Sequence, residues 1–133
     1  MNYNANLPIF IQIADRIADR VLSNEYLPDA RIPSVRELGV EMEVNPNTVM
    51  RSFDWLQSHG IIYNKRGIGY FIAAGAREKV REMRHQAFIG EVLPSLFKEM
   101  TLLDIGMDEL SEAYKHYLSA NKSERRNEVT YCL

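Results

Sequence analysis

Cysteine is almost missing from this chain: Cys132 is the only one among 133 residues. A single thiol cannot close an internal disulfide or supply a multi-cysteine zinc site, so a reducing compartment is expected. Long apolar runs are missing too, since stretches such as Ile9 to Ile11 or Ile61 to Tyr63 fall far short of the roughly 18 residues a membrane span requires. No membrane-spanning helix is expected. The opening Met1-Asn2-Tyr3-Asn4 lacks the basic region and apolar core of an export signal, which points to a cytoplasmic protein. His59, His85 and His116 are far apart and have no cysteines or carboxylates at ligand spacing, so no metal site is expected. There is no phosphate-binding glycine loop or nucleophile motif, and Gly67-Ile68-Gly69 is no dinucleotide fingerprint. These absences argue against an enzyme and against a cofactor.

An excess of positive charge is missing as well: 16 basic residues against 18 acidic ones leave a net charge of −2. That balance alone argues mildly against a nucleic-acid partner. Its distribution argues the other way. No acid lies between Val44 and Phe53, where Arg51 sits, and Arg36, Lys65 and Arg66 fall in neighbouring segments. Most of the acids of the first 75 residues gather elsewhere, at Asp15, Asp19, Glu25, Asp29, Glu41 and Glu43. A phosphate responds to charge within a Debye length of roughly 8 to 10 Å, so local distribution counts for more than the sum.

What is present suits one small domain with a core plus a short appendage, at 46% hydrophobic and 26% charged residues. From Pro8 to Leu22, apolar residues recur in pairs every four positions, the signature of one face of a helix. Residues 23 to 31, with Asn24, Pro28 and Asp29, break the pattern and read as a loop. Ser34 and Glu37 form an SxxE capping box that starts a second helix, running to about Met42. Asn45 is a favoured N-cap and Pro46 suits the first position of a third helix, only two or three residues later. This spacing is the turn of a helix-turn-helix. In the third helix Val49, Phe53 and Leu56 cluster within about 60° and face the core, while Asn47, Met50, Arg51, Asp54 and Ser58 occupy the opposite arc. Gly60 ends the helix, and Ile61 to Tyr63 and Tyr70 to Ile72 form a β-hairpin joined by residues 64 to 69. The segments PSVREL, VNPNTV and KRGIGYF thus supply a supporting helix, a groove-entering helix and a basic wing. The fold expected is mainly α with a small β-wing, a winged helix-turn-helix over residues 1–75.

Residues 7 to 73 resemble the DNA-binding domain of the GntR family of bacterial transcription regulators. Pro33, Ser34, Arg36, Leu38, Val44, Thr48, Val49, Gly67 and Gly69 carry the resemblance. The VNPNTV wording and the short remaining tail are similar to the YtrA subfamily, whose C-terminal part is two helices. Three departures stand out: Pro28 to Ile32 replaces a tight-turn glycine, Gly39 replaces a usual alanine, and Met50 with Arg51 replaces an arginine after Thr-Val. Gly39 is expected to weaken the second helix by up to about 1 kcal/mol. The base-reading pattern of better-known members does not carry over.

The resemblance implies DNA contacts from Ser34 and Arg36 at the start of the second helix, from Asn47, Thr48 and Arg51 on the third helix, and from Lys65, Arg66 and Gly67 on the wing. The plain alternatives are a solvated arginine at 36, a threonine at 48 that only supports the helix start, and a solvated hairpin tip. Trp55, Tyr114 and Tyr117 read as core or interface residues. After residue 75 a long helical run carries Val80, Met83, Ala87, Val92, Leu96, Met100 and Leu103, an apolar face broad enough to expect dimerisation over residues 76–120. Pro94 is expected to kink or split that run, and residues 121–133 are expected to form a flexible tail. The function implied is a sequence-specific regulator, a homodimeric repressor on an inverted-repeat operator, with no evident effector site. The rival is a winged helix that docks a protein instead of DNA, for which the acidic balance is the clue.

Overall fold

Apolar periodicity and capping chemistry place the first three helices where the sequence expects them. In the computed structural model, which describes residues 7–132 and side chains as far as Lys122, α1 spans Ile9–Leu22, α2 Val35–Met42 and α3 Pro46–Ser58. Helix α1 buries Ile13, Ala14, Ile17, Ala18 and Val21, the paired positions of its apolar face. At the start of α2 both halves of the capping box form: Glu37 N–H donates to Ser34 Oγ at 3.1 Å, and Ser34 N–H donates to Glu37 Oε1 at 3.3 Å. Asn45 caps α3 by accepting from Asn47 N–H at 2.8 Å, with Pro46 in the first turn. Only Glu43, Val44 and Asn45 separate the two helices, and Glu43 makes the turn with a left-handed φ of 56°.

The hairpin strands β1, Ile62–Lys65, and β2, Gly69–Ile72, pair antiparallel with Ile62 opposite Ile72 and Lys65 opposite Gly69. They reach further toward the tip than the sequence suggests, because Asn64, Lys65 and Gly69 join the ladder. The preceding loop departs more. Arg31 bridges Phe71, with Ile32 N–H donating to Tyr70 O and Ile72 N–H donating to Ala30 O, both at 3.0 Å. This gives β2 a short second neighbour on the side away from β1. Such pairing reflects a tertiary approach and leaves no periodicity in the loop itself.

One core joins these elements: Ile17, Leu38, Val49, Phe53, Leu56, Ile61, Ile62 and Ile72 are each at most 2% exposed. Ala76 and Val80 belong to it as well, from α4, Ala76–Ala87. The chain accordingly divides into units Met1–Phe88 and Ile89–Leu133, not at residue 75. This corrects the role expected of Val80, which is 2% exposed within its own unit, with Met83 packed against the same core. Val80 has no apolar surface left over for a second chain, and Met83 is half-buried. The helical backbone continues through a π-helical turn, Phe88–Val92, into α5, Leu93–Leu102, and after Asp104 at φ 56° comes α6, Met107–Cys132. The π turn accounts for Pro94. Its ring would collide with the carbonyl of residue 90 in a regular helix, and the widened turn relieves that contact. Helix α6 covers the expected tail as far as Cys132.

One arginine ties α4 to α1. Arg84 of α4 donates to Asp15 O at 2.8 Å and pairs with Asp19, both on α1. Burial raises the Asp15 carboxyl above its ordinary value of 3.8; Arg84 opposes the shift and Asp19 adds to it. A carboxyl raised on folding contributes stability below its unfolded pKa and loses that contribution as pH rises through the folded value. Asp15→Asn should therefore melt higher than the parent at pH 7, with the advantage gone by about pH 4. Thermal melts across that range check it, and a gain that grows on acidification would contradict it.

Candidate nucleic-acid interface

Helix α3 buries Val49, Ser52, Phe53 and Leu56 and leaves Asn47, Met50, Arg51, Asp54 and Ser58 in solvent. The exposed set is the arc opposite the core, as the wheel predicts. Thr48 lies between the two faces and is half-buried, and its carbonyl accepts from Ser52 Oγ at 3.2 Å. Arg36 is exposed in the first turn of α2, next to the Ser34 cap that sets where the helix begins.

The wing closes through a turn in which Ile68 N–H donates to Lys65 O at 2.9 Å. Gly67 sits in it at φ +80°, a conformation that costs other residues roughly 1–2 kcal/mol. Lys65 Nζ lies 4.6 Å from the centre of the Phe71 ring, which in turn stacks on Tyr63 at 5.7 Å. Arg66 and Gly67 are exposed at the tip, together with Ile68 at 57%. Gly69, at φ +144°, leaves room for Arg31: a Cβ there would lie 2.9 Å from the Arg31 Nε.

The pairing of charges gives the surface its sign. Arg20 holds Glu41 at 2.6 Å and Glu25 at 3.8 Å, and the Arg20 hydrogen bond draws the Glu41 carboxyl below its ordinary range. Asp19 is held by Arg84, Glu37 by its own cap, and Asp29 accepts from Tyr63 Oη at 3.2 Å. Among the described residues no ion pair involves Arg31, Arg36, Arg51, Lys65 or Arg66. Arg20 and Arg84 thus engage Glu25, Glu41 and Asp19, whereas the cations on α2, α3 and the hairpin have no acid partner among the described residues, a local feature that the net charge of −2 does not show. Uncompensated arginine and lysine on a groove-sized helix and a wing are chemistry for phosphate and base edges. Among the described residues no group of three or more histidine, cysteine, aspartate or glutamate side chains could hold a metal ion.

Comparison with known proteins agrees with this geometry. Residues 11–72 match the model of the bacterial regulatory proteins, gntR family. The HTH-type transcriptional regulator YhcF of Bacillus subtilis (strain 168) is 37% identical over 115 residues, covering 86% of this chain and 93% of YhcF. This chain belongs to the GntR family. The HTH-type transcriptional repressor YtrA of the same organism is 29% identical over 124 residues, covering 93% of this chain and 95% of YtrA. A solved structure of a GntR-family regulator from Bacteroides thetaiotaomicron superposes with a TM-score of 0.73 at 43% identity, covering 86% of this chain and 99% of the other. The winged helix is thus the DNA-binding domain of a GntR transcription regulator, and the similarity to YhcF and YtrA extends along nearly the whole chain.

Within this GntR domain the expected site residues fall into three local groups. Ser34 and Arg36 share the start of α2; Asn47, Thr48 and Arg51 share the first half of α3; Lys65, Arg66 and Gly67 share the wing turn. No hydrogen bond or ion pair among the described residues joins one group to another. Three residues of the site were not read from the sequence. Ser52 is fully buried and its Oγ donates to Phe10 O at 2.6 Å. A signal for it existed, since a serine on the core arc of α3 must find a partner. Phe10, read only as part of the α1 face, lies beneath Arg51, with its ring centre 4.7 Å from the guanidinium carbon. Arg31 left no signal, because only the approach of the loop to β2 brings it to Gly69.

Proposed function

We propose that this GntR regulator binds an inverted-repeat DNA operator as a homodimer and represses transcription by occluding a promoter. The observation that carries the reading is the set of cations without acid partners on α2, α3 and the wing: Arg36, Arg51, Lys65 and Arg66. Arg51 enters or clamps the major groove, Arg36 and Thr48 hold register, and Lys65 and Arg66 grip the flank. The second unit supports the dimer. Ile89, Leu96, Phe97, Leu102, Leu103, Met107, Tyr114, Tyr117 and Leu118 are 36% to 68% exposed. On α6, Met107, Leu110, Tyr114, Tyr117 and Leu118 recur at helical spacing as one stripe, the pattern of a face that another helix covers. Ala87, Val92, Leu96 and Leu103 remain from the dimerisation set, whereas Met100 is already 8% exposed within one chain. Repression is supported by the resemblance to YtrA.

Selection of bound duplexes from a random pool tests this reading. It should return an inverted repeat with half-sites about one helical turn apart, bound by a species of twice the chain mass in light scattering. Two copies of Arg36, Arg51, Lys65 and Arg66 meeting phosphate would give a log–log salt slope near about −7, from roughly −0.9 per phosphate. A pool that yields no enriched duplex would favour the protein-docking winged helix instead.

A further inference from the structure

Arg51 is exposed, yet its guanidinium is not free to take any direction. Its carbon lies 4.7 Å from the centre of the Phe10 ring, within the range at which a cation is drawn to an aromatic face. Phe10 stands in the first turn of α1, and its backbone is tied back to α3: the fully buried Ser52 donates from Oγ to Phe10 O at 2.6 Å. Ser52 is the next residue after Arg51. The helical turn that carries the guanidinium therefore also holds the ring on which it rests. The Phe10 side chain has no polar atom, so it has nothing of its own to offer a phosphate or a base edge. Any effect it has on DNA must pass through Arg51 or through packing.

We propose that Phe10 is a positioning residue for DNA binding, holding the Arg51 guanidinium in the direction it uses on duplex DNA, with Ser52 locking the ring's backbone to α3. The inference rests on the assignment of α3 as the DNA-reading helix. Its physical basis is preorganisation: a long arginine that is already confined gives up less rotamer freedom when it meets its target. Met50 strengthens the case. With methionine at the preceding position, Arg51 is the one cation on α3, so its direction weighs heavily in what the helix can grip.

A double-mutant cycle on the full chain separates positioning from packing, using a duplex selected by the parent protein from a random pool. Phe10→Leu should weaken binding about two- to fivefold per recognition helix, hence roughly four- to twenty-fivefold for a dimer, as expected of an exposed cation–π contact. In an Arg51→Ala background the same substitution should cost nothing further, and Phe10→Tyr should restore affinity. Phe10→Met serves as a second variant should Phe10→Leu melt early. In the free protein the Arg51 Nε–H resonance should lose its ring-current shift in either variant, a change that loose packing elsewhere would not produce. Equal losses with and without Arg51, or no loss at all, would overturn the proposal while leaving the DNA assignment standing. Failure of the parent to shift any duplex would sink both.

Discussion

An Arg36→Ala, Arg51→Ala double variant should bind a selected operator roughly a thousandfold more weakly than the parent, while scattering light as the same species and melting at nearly the same temperature. Both side chains are exposed and neither is in an ion pair among the described residues, so their removal leaves no buried partner stranded. Each arginine on a groove or phosphate is worth about 1–3 kcal/mol, and a dimer presents two of each. Four losses at the lower end come to about 4 kcal/mol, close to three decades of affinity. Gel shift or fluorescence anisotropy at fixed salt measures it. Retained affinity would remove α2 and α3 from the interface, whatever the family. Singly, Arg36→Ala should weaken binding evenly across sequences, whereas Arg51→Ala should also relax preference at one position of each half-site, if Arg51 reads a base edge.

Phe53→Ala should be the most damaging single substitution for the fold. Phe53 is fully buried on α3, and its ring meets Tyr70 of the wing edge-on, with centroids 4.7 Å apart at 75°. Truncating a buried phenylalanine costs about 3–5 kcal/mol through lost transfer energy and the cavity left behind. Small domains have only about 5–15 kcal/mol in all, so the first unit should melt roughly 15–30 °C lower. The wing should loosen with it, because Tyr70 loses the ring that seats β2 against the recognition helix. Phe53→Leu, which refills most of the volume, should recover the larger part. Denaturant unfolding of both variants decides the matter; a shift below 1 kcal/mol for Phe53→Ala would mean that α3 is not part of the cooperative core.

The helices were legible because their signals are local. Capping at Ser34 and Asn45 depends on residues two or three positions away, and the arc of Val49, Phe53 and Leu56 repeats within a single helix. The candidate contact residues were legible for the same reason. Arg36 and Arg51 lie on arcs that burial leaves over, and Gly67 sits where a wing turn demands positive φ. Gly39 shows where local reasoning stops. By propensity alone it counts only as a weak point in α2, but a Cβ there would lie 3.0 Å from Val44 O and 3.4 Å from Pro46 Cγ. The absent side chain makes room for the turn into α3.

The sequence by itself determined the family of fold, the order of its elements and which side chains are candidates for DNA contact, since periodicity, caps and charge spacing act over a few residues. Only the tertiary structure decided three matters. It drew Val80 into the core of the first unit, with Met83 packed against it, and moved the boundary to Phe88, because an apolar helix face records that it is buried and not against what. It engaged the acids near Arg20 and Arg84, turning a net charge of −2 into uncompensated cations on the site. And it brought Phe10 beneath Arg51, a contact between residues distant in sequence that no spacing rule encodes.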